Sequence, residues 1–546
     1  MKELLKTINR EEKRLILFLS ILVIVITLLP FIFGYLRTPD DSFYTGIHAL
    51  TPGDTNVYYS YLEQVKQGSL VFKDLYTSEP QSTPLINPFW ATVGVIGKLL
   101  HTPHWVTIQI TRCVLVFIFI AVAYIFIAYL FSKKQHRKMA IVLLLFSSGL
   151  GGLFSPFLEF FKYSSEGYYH WPMDLWVPES VTFLSLLHVP HILFSSILSL
   201  VVFLFILLAF EKNRYSYSII AGIASFLWFT FHPFHFFTVI IVLAVYVFLK
   251  GILDKKFPKI YIKHSLVATL LALPAVIYHF LIIAQDPIIA GRADENLLYT
   301  PAWWLVLISY GLVGLLAVLG VLRITKKQDN KWLFIATWFV VQTILLYAPL
   351  DFQRRLAQNL HFPMVLLATY AIIFLAKKYN YTKIVRYLLN NKVVIAFIFI
   401  IFFSFSNIYA ILNDLLLYKS MAYPFFYLSQ DYAKSFNWMK ENMSKDDVIL
   451  SEWIDGNFIP GYSGRTVYLG HGVETVNYLF KQEQTEWFYR DNLEIDAKKE
   501  FLRQSGIDYI LFSGRSEELG DFDPKNKEFL REEFTSNEIS IYKFVE

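Results

Sequence analysis

Residues 15–33 read LILFLSILVIVITLLPFIF, an almost wholly apolar run that begins directly after Arg14. One helical crossing of a bilayer needs about 20 apolar residues. The run therefore predicts a first membrane span. No small-residue cleavage pattern follows Pro30, which favours an uncleaved anchor over a signal peptide.

The rest of the chain repeats this pattern. Of its 546 residues 55% are hydrophobic, 51 are Phe, and the mean hydropathy is +0.44, which is far too apolar for a soluble protein. We predict a polytopic α-helical membrane protein with about 11 transmembrane helices. The spans lie near residues 15–33, 106–131, 140–154, 191–210, 217–232, 233–249, 265–284, 302–322, 332–349, 362–376 and 393–413.

Alternate connections between these spans are rich in Lys and Arg, beginning with residues 2–14 and 133–138. Basic loops face the cytoplasm, so the N-terminus is expected there, in a multi-pass protein of the plasma (cytoplasmic) membrane. This bias also explains the net charge of +5, and no nucleic acid partner is implied. The single cysteine, Cys113, lies in a predicted span and has no intrachain disulfide partner.

The composition changes at about Ala422, where charged residues become frequent and turn signals such as DG and SG appear. Four runs predict strands: DDVILSEW, GRTVYLGH, GIDYILFSG and EISIYKFV. Three segments predict helices: residues 429–443, 474–489 and 495–505. We therefore expect two parts: a transmembrane domain, residues 1–421 with a first outer loop at 34–105, and an extracytoplasmic soluble α/β domain, residues 422–546.

The first outer loop concentrates acidic residues on the predicted outer face. Within it, residues 54–68 read DTNVYYSYLEQVKQG, where Tyr58 follows Asp54 by one helical turn and Gly68 ends the helical pattern. A carboxylate at the mouth of a membrane bundle is a candidate general base for a lipid-linked substrate. The acids of the loop are Asp40, Asp41, Asp54, Glu63, Asp74 and Glu79.

The spacing of a set of residues in and after this loop resembles the first outer loop of GT-C membrane glycosyltransferases, of the aminoarabinose transferase and protein O-mannosyltransferase type. The set is Asp54, Tyr58, Gly68, Tyr76, Pro80, Pro84, Pro88, Trp90 and Arg112. The resemblance implies a polyprenyl-phosphate sugar donor and a loop aspartate, Asp54 or Asp41, as base or metal ligand. In one respect the chain departs from those relatives, because Ser78 and Glu79 replace their basic residue before the paired prolines.

The segment DFQRRLAQNLHFP, residues 351–363, offers a substitute cation at the outer end of the ninth predicted span. Guanidinium groups bind phosphate oxygens bidentately, so Arg354 and Arg355 are candidate contacts of the donor phosphate. The alternative is that both are interfacial anchors bonded to Asp351 or to lipid headgroups. Arg292 and Arg112 are further candidates for the phosphate.

A second group of polar residues falls between residues 155 and 235, and its acids and histidines are candidates for substrate or cation binding. The group contains Glu166, His170, Asp174, Glu179, His188, His191, His232 and His235. Glu179 precedes an expected amphipathic stretch, WVPESVTFLSLLHVPH, and FHPFH is typical of a tight helical hairpin. For the histidines, an ordinary interfacial role is the favoured alternative.

The segment QDPIIAGRADENLLY, residues 285–299, is either a mobile element that closes over substrate or a solvated connection.

The C-terminal run VILSEWIDGNFIPGYSGR resembles the region around the WWDYG motif of oligosaccharyltransferase catalytic subunits. Alignment on Gly456 places Glu452 and Trp453 on the two Trp positions and Ile454 on the Asp, so sequon recognition is not carried over. The expected layout is a strand and turn in an outer α/β domain. Trp453, Asp455, His471 and Glu474 are either glycan contacts or plain surface residues.

These observations predict an inverting GT-C-type glycosyltransferase that transfers a hexosyl or pentosyl group at the outer membrane face. The donor is a polyprenyl-phosphate sugar and the acceptor a glycan, lipid or protein. Asp54 is the expected base, with Asp41 and Asp40 as alternatives. Tyr58, Glu179, His191 and His232 are the expected substrate contacts. The sequence does not establish a cofactor; a divalent cation, Mg²⁺ or Mn²⁺, is left open, with Asp41, Asp54 and Glu179 as candidate ligands.

Two other classes compete with this interpretation. A transporter or flippase of lipid-linked sugars needs ionisable residues near mid-membrane and broken helices in two matching halves, whereas the acids here lie in predicted outer loops. A non-catalytic membrane scaffold does not need the acid-rich first loop.

The alternation of basic loops generates a testable topology. In a Cys113→Ser background, we expect Asp496→Cys to react with a membrane-impermeant maleimide in intact cells, and Lys133→Cys to react only after permeabilisation. Protection of the Asp496→Cys thiol in intact cells would contradict the predicted outer location of the C-terminal region.

Overall fold

The computed structural model describes residues 1–81, 83–158, 169–324, 329–379, 399–421, 423–525 and 527–545, without the side chains at positions 292, 294 and 295. Glu166 and Ala422 lie outside the described residues, as does part of the predicted last span.

Helices account for most of the described chain. The α-helices are α1 Lys2–Lys6, α2 Arg10–Leu36, α3 Pro52–Lys66, α4 Pro88–Leu100, α5 His104–Leu130, α6 Lys134–Phe146, α7 Gly151–Phe154, α8 Thr182–Leu187, α9 Pro190–Lys212, α10 Tyr215–Phe229, α11 His235–Asp254, α12 Lys259–Gln285, α13 Pro287–Glu295, α14 Trp303–Ile324, α15 Asn330–Leu345, α16 His361–Tyr379, α17 Phe405–Ser420, α18 Gln430–Asn442, α19 Trp453–Ser463, α20 Tyr478–Arg490, α21 Ile495–Gln504 and α22 Gly514–Glu517. Short 3₁₀ helices cover Ser155–Phe157, Met173–Leu175 and Gln353–Ala357, and a π-helical turn, Ile400–Ser404, precedes α17.

The spans predicted from hydropathy correspond to these helices. Within the described part of the chain, 8 helices are long and apolar enough to cross a membrane, and a bent pair, Lys134–Phe146 with Gly151–Phe157, raises the number to 9. The predicted spans at 217–232 and 332–349 are the shorter helices α10, of 15 residues, and α15, of 16 residues. The chain is a multi-pass α-helical membrane protein.

The third predicted span is broken at the point where its backbone contacts α14. The bent pair turns by 43°, and the N–H of Leu150 in the break donates to the carbonyl of Ile308 at 2.9 Å. A Cβ on Gly149 would lie 2.1 Å from the carbonyl oxygen of Ser309, and Gly311 adopts a positive φ of 45° within α14. Backbone groups freed by a break in an apolar setting need such partners, and glycine permits the close approach.

The chain forms two compact units. The first contains residues 1–29, 109–280 and 297–413, and the second contains residues 30–108, 281–296 and 414–546. The core of the first unit is aromatic: Trp338 is fully buried against Phe203, with ring centroids 4.3 Å apart, and against Phe362. The domain limits inferred from composition stay a prediction.

The second unit contains two sheets. Strand β1 Ser42–Tyr44 pairs antiparallel with β2 Tyr427–Ser429, so the first outer loop and the segment after α17 share a ladder. The larger sheet has the order β4-β3-β5-β7-β6. Strand β3 pairs in parallel with β4 and β5, whereas the β5–β7 and β7–β6 pairs are antiparallel. The strands are β3 Val448–Leu450, β4 Thr466–Val467, β5 Tyr509–Ser513, β6 Leu530–Thr535 and β7 Ile539–Phe544.

The predicted C-terminal α/β pattern is confirmed, although strand β6 was not predicted and one expected turn is helical. The dipeptide Asp455–Gly456 was expected to form a turn, but it lies in the first half of α19. The Glu452 carboxylate caps that helix by accepting the N–H groups of Ile454 and Asp455. A Cβ on Gly456 would lie 1.9 Å from the carbonyl oxygen of Leu469. The glycine therefore serves close packing in a helix rather than a turn.

Candidate active site

Asp54 lies in the first turn of α3, where an acidic side chain interacts favourably with the positive end of the helix dipole. Its side chain is 42% exposed, and its Oδ1 lies 3.2 Å from Nε2 of His471, a side chain with only 9% exposure. The carboxylate is thus held on one side by a buried imidazole and is accessible to solvent on the other.

The other ring nitrogen of His471 defines the direction of this hydrogen bond. Nδ1 accepts the backbone N–H groups of Val473 and Glu474, both at 3.2 Å. A nitrogen that accepts carries no proton, so in the neutral ring the proton is on Nε2. The imidazole therefore donates to Asp54.

A chain of amide contacts connects α3 with the loop that carries His471. Asn56 donates from Nδ2 to Oδ1 of Asn457 at 2.6 Å, and Asn457 donates from Nδ2 to the carbonyl of Gly470 at 2.9 Å. Gly53 completes the fit, because a Cβ there would lie 3.2 Å from the imidazole ring. Sequence reasoning did not single out either asparagine. The glycines on both sides of His471 were the available signal of a tight turn.

Tyr58 lies one turn after Asp54, as predicted. Its ring stacks on Trp90 with centroids 4.6 Å apart and an interplanar angle of 13°. Trp90 is buried in α4, a helix that sequence reasoning did not predict. The two residues of the loop motif therefore form one aromatic platform, and a role of Tyr58 in substrate binding stays a prediction.

The remaining acids of the first loop differ in their surroundings. Asp40 and Asp41 are exposed, and Asp41 accepts the hydroxyl of Ser42 at 3.1 Å. Asp74 accepts the N–H of Tyr76 at 2.9 Å. Glu63 is buried in α3, where burial alone would raise its pKa. Contacts with His104 and Lys440, each at 3.1 Å, instead lower that pKa to about 2.

Glu79, which stands where the resemblance expects a basic residue, is neutralised from the C-terminal region. Lys481 in α20 is only 4% exposed, and its Nζ lies 2.7 Å from Oε1 of Glu79 and 3.3 Å from the hydroxyl oxygen of Thr77. Burial of a lysine is costly unless it is paired. This ion pair therefore ties the segment before the prolines to α20.

The segment predicted as a mobile element or solvated connection is instead helical in its first part. Buried Asp286 caps α13, because its Oδ1 accepts the N–H of Ile288 at 3.0 Å. Its Oδ2 accepts the N–H of Thr83 at 3.2 Å. A cavity of about 210 Å³ lies between α13 and the segment from Phe72 to Leu85. The side chain of Arg292, a candidate phosphate contact, lies outside the described residues.

Arg354 and Arg355 lie in the 3₁₀ helix of the first unit, and each has aromatic neighbours. The guanidinium of Arg354 lies 4.3 Å from the ring centroid of Trp176 and 5.3 Å from that of Tyr169. Arg355 lies over Phe234 at 5.6 Å, and its Nη1 is 3.8 Å from Oε1 of Glu179. At that distance the Arg355–Glu179 pair is too long for a hydrogen bond.

Of the predicted histidines of the first unit, His188, His191, His232 and His235 are buried and His170 is exposed. His191 and His232 meet edge to face at 5.3 Å, and Nδ1 of His232 lies 3.0 Å from the hydroxyl of Ser195. His235 contacts the side-chain oxygen of Gln358 at 2.7 Å. These contacts fit the packed interfacial role favoured for them, and their part in substrate binding stays a prediction.

Two further residues from the sequence analysis have structural partners. Arg112 is fully buried and donates to Oγ1 of Thr27 and to the carbonyl of Leu186, each at 2.7 Å. Asp174 is also buried and accepts the N–H of Gly151 at 3.1 Å. Burial raises the pKa of Asp174 to about 7.

Two expectations about nearby segments change. The stretch after Glu179 was expected to be amphipathic, but every residue of α8 is buried. Asp455 was a candidate surface or glycan contact, but it is buried and accepts hydrogen bonds from Tyr432, Ser513 and Arg515. Neither α8 nor Asp455 therefore presents a face to solvent.

The candidate metal ligands do not form a closed site. Among the described residues, no three His, Cys, Asp or Glu side chains come close enough together to hold a metal ion. His471 lies within contact of Asp54.

Comparison with known proteins defines the fold. No protein-family model matches the sequence, and no curated protein matches it by sequence. The structure is similar to the archaeal oligosaccharyltransferase AglB from Archaeoglobus fulgidus, solved in complex with an inhibitory peptide and a dolichol-phosphate. The TM-score is 0.52 at 13% identity, covering 93% of this chain and 70% of AglB.

Two other solved structures also match with lower scores. ArnT from Cupriavidus metallidurans, bound to undecaprenyl phosphate, gives a TM-score of 0.48 at 10% identity, covering 96% of this chain and 98% of ArnT. Arabinofuranosyltransferase AftD from Mycobacteria gives 0.46 at 10% identity, covering 97% and 41%. The likeness to AglB shows the overall fold of the chain, which agrees with the GT-C-like architecture predicted from the first outer loop.

The Lys481–Glu79 pair generates a stability prediction. Glu79→Gln leaves the buried ammonium without its counter-charge, so we expect the free energy of unfolding to fall by up to about 3 kcal/mol. Lys481→Met should cost less, because Glu79 keeps 27% exposure and its charge is partly hydrated. Thermal unfolding in detergent measures both changes.

The double variant Lys481→Met/Glu79→Gln should recover most of the loss, since neither charge then remains unpaired. Lys73→Met removes an exposed pair with Asp446 and serves as the control, with an expected effect below about 1 kcal/mol. Additive losses in the double variant would show that the two side chains are not coupled.

Proposed function

We propose that this protein is a glycosyltransferase that moves one sugar, with inversion, from a polyprenyl-phosphate donor to an acceptor at the outer face of the plasma membrane. The observation that carries the proposal is the half-exposed carboxylate of Asp54 on a GT-C fold, fixed at one oxygen by His471. A carboxylate that is both oriented and accessible meets the requirements of a general base.

In the proposed reaction an acceptor hydroxyl oxygen attacks the anomeric carbon of the donor sugar. The bond between that carbon and the phosphate oxygen breaks, and polyprenyl phosphate leaves with the bonding electrons. The hydroxyl proton passes to the Asp54 carboxylate as the new glycosidic bond forms. General base catalysis of this kind contributes about a hundredfold to ten-thousandfold to the rate.

Arg354 and Arg355 are the proposed contacts of the donor phosphate. The aromatic rings of Tyr169 and Trp176 lie beside the Arg354 guanidinium and restrict its orientation. The long Arg355–Glu179 contact is weaker than a bidentate bond to a phosphate, so the phosphate can replace it. Support for a lipid phosphate comes from the fold relative AglB, which was solved with a dolichol-phosphate.

Substitution of the base tests the catalytic assignment. Asp54→Asn keeps the shape of the side chain but cannot accept the proton, so kcat should fall by about a hundredfold or more while donor binding persists. Transfer from a panel of labelled polyprenyl-phosphate sugars in proteoliposomes measures both quantities.

Two further variants make this result specific. Asp496→Asn changes an exposed aspartate of α21 in the same unit and should transfer at the parent rate. If Asp41→Asn is inactive while Asp54→Asn is active, the base is Asp41. If both transfer sugar normally, the proposed function in this form is wrong.

Replacement of the two arginines tests the phosphate site. Lysine keeps the charge but loses the paired hydrogen bonds, so Arg354→Lys or Arg355→Lys should weaken donor binding by about tenfold or more. The effect should persist with a short-chain donor, because phosphate contacts do not depend on the lipid tail.

Arg214→Lys, an exposed position of the first unit, is the matched control, and thermal unfolding separates lost binding from lost packing around Arg354. Unchanged binding of long and short donors by both lysine variants would identify the arginines as interfacial anchors.

A further inference from the structure

We infer that His471 is a positioning residue of the transfer reaction, a hydrogen-bond donor that orients the Asp54 carboxylate toward the acceptor. The inference rests on the proposed function and adds a residue from the C-terminal region to the site. Two features support it: the position of the ring proton on Nε2 and the fixed setting of the ring.

The tautomer follows from the contacts of the two nitrogens. Nδ1 accepts two backbone N–H groups, from Val473 and Glu474, and this arrangement excludes a proton on that atom. Nε2 then always presents its proton to Oδ1 of Asp54, 3.2 Å away.

The setting of the ring is rigid. The imidazole is 9% exposed, its backbone N–H donates to the hydroxyl of Thr475 at 3.1 Å, and that hydroxyl donates to the carbonyl of Tyr76 at 2.8 Å. The edge of the ring meets Tyr76 at a centroid distance of 5.9 Å. The fixed donor therefore favours one orientation of the Asp54 carboxylate, which is 42% exposed.

In this role His471 acts through Asp54 and does not itself receive the proton.

Two substitutions separate the two sides of the ring. His471→Asn places an amide oxygen near the position of Nδ1, so it retains the contact with the loop and loses the contact with Asp54. His471→Gln places an amide N–H near the position of Nε2, so it retains the donor and loses the loop contact.

We expect His471→Asn to lower kcat by about tenfold to a hundredfold, with donor and acceptor KM unchanged and thermal stability close to the parent. His471→Gln should retain kcat within about threefold and lose thermal stability instead. His101→Asn is the control, an exposed histidine of the same unit at a left-handed φ of 50° that asparagine tolerates.

The pair of variants at positions 54 and 471 distinguishes the failure of this inference from failure of the proposed function. If Asp54→Asn is inactive and His471→Asn adds no further loss to it, the two residues act as a unit. If Asp54→Asn is inactive but His471→Asn has the parent kcat, the role of His471 is purely structural and only this inference is overturned. If Asp54→Asn is fully active, the proposed function itself fails.

Discussion

Close packing of α3 against α19 is the constraint on which the candidate site depends. A Cβ on Gly461 would lie 3.1 Å from the carbonyl oxygen of Asn56, so the small residue lets the two backbones approach. At this distance Asn56 reaches Asn457, whose amide in turn holds the carbonyl of Gly470. The imidazole that follows Gly470 is therefore placed by helix packing, and the position of Asp54 on α3 is fixed by the same contact.

Charges in the second unit are buried in pairs that join the first loop to the C-terminal segments. Glu63 bonds to Lys440, and Glu79 bonds to Lys481. A buried charge without a partner costs several kcal/mol, whereas a complete pair costs little. Each pair therefore stabilises one arrangement of the loop and opposes others. The more exposed acids of the loop include Asp40, Asp41 and Asp54, which are the candidates for the general base.

Much of the architecture was accessible from local sequence signals. Most apolar runs marked the spans because they correspond to single helices long enough to cross a membrane, and the helical pattern after Asp54 marked α3. Polar strand β6 was missed because LREEFT lacks the apolar alternation of a half-buried strand. The helical Asp455–Gly456 dipeptide was misread because the cap from Glu452 and the contact with Leu469 override the turn preference of that pair.

The sequence by itself determined the class of the protein, since hydrophobic length and the positions of basic loops depend on residues close together in the chain. It also determined Asp54 and Tyr58 as neighbours on one helix, because that contact spans a single turn. Only the tertiary structure decided that Asp54 meets His471 and that Glu79 meets Lys481. Residues separated by 417 and 402 positions make those contacts. Local propensity carries no information on such pairs, because they form only when helices and loops distant in sequence pack together.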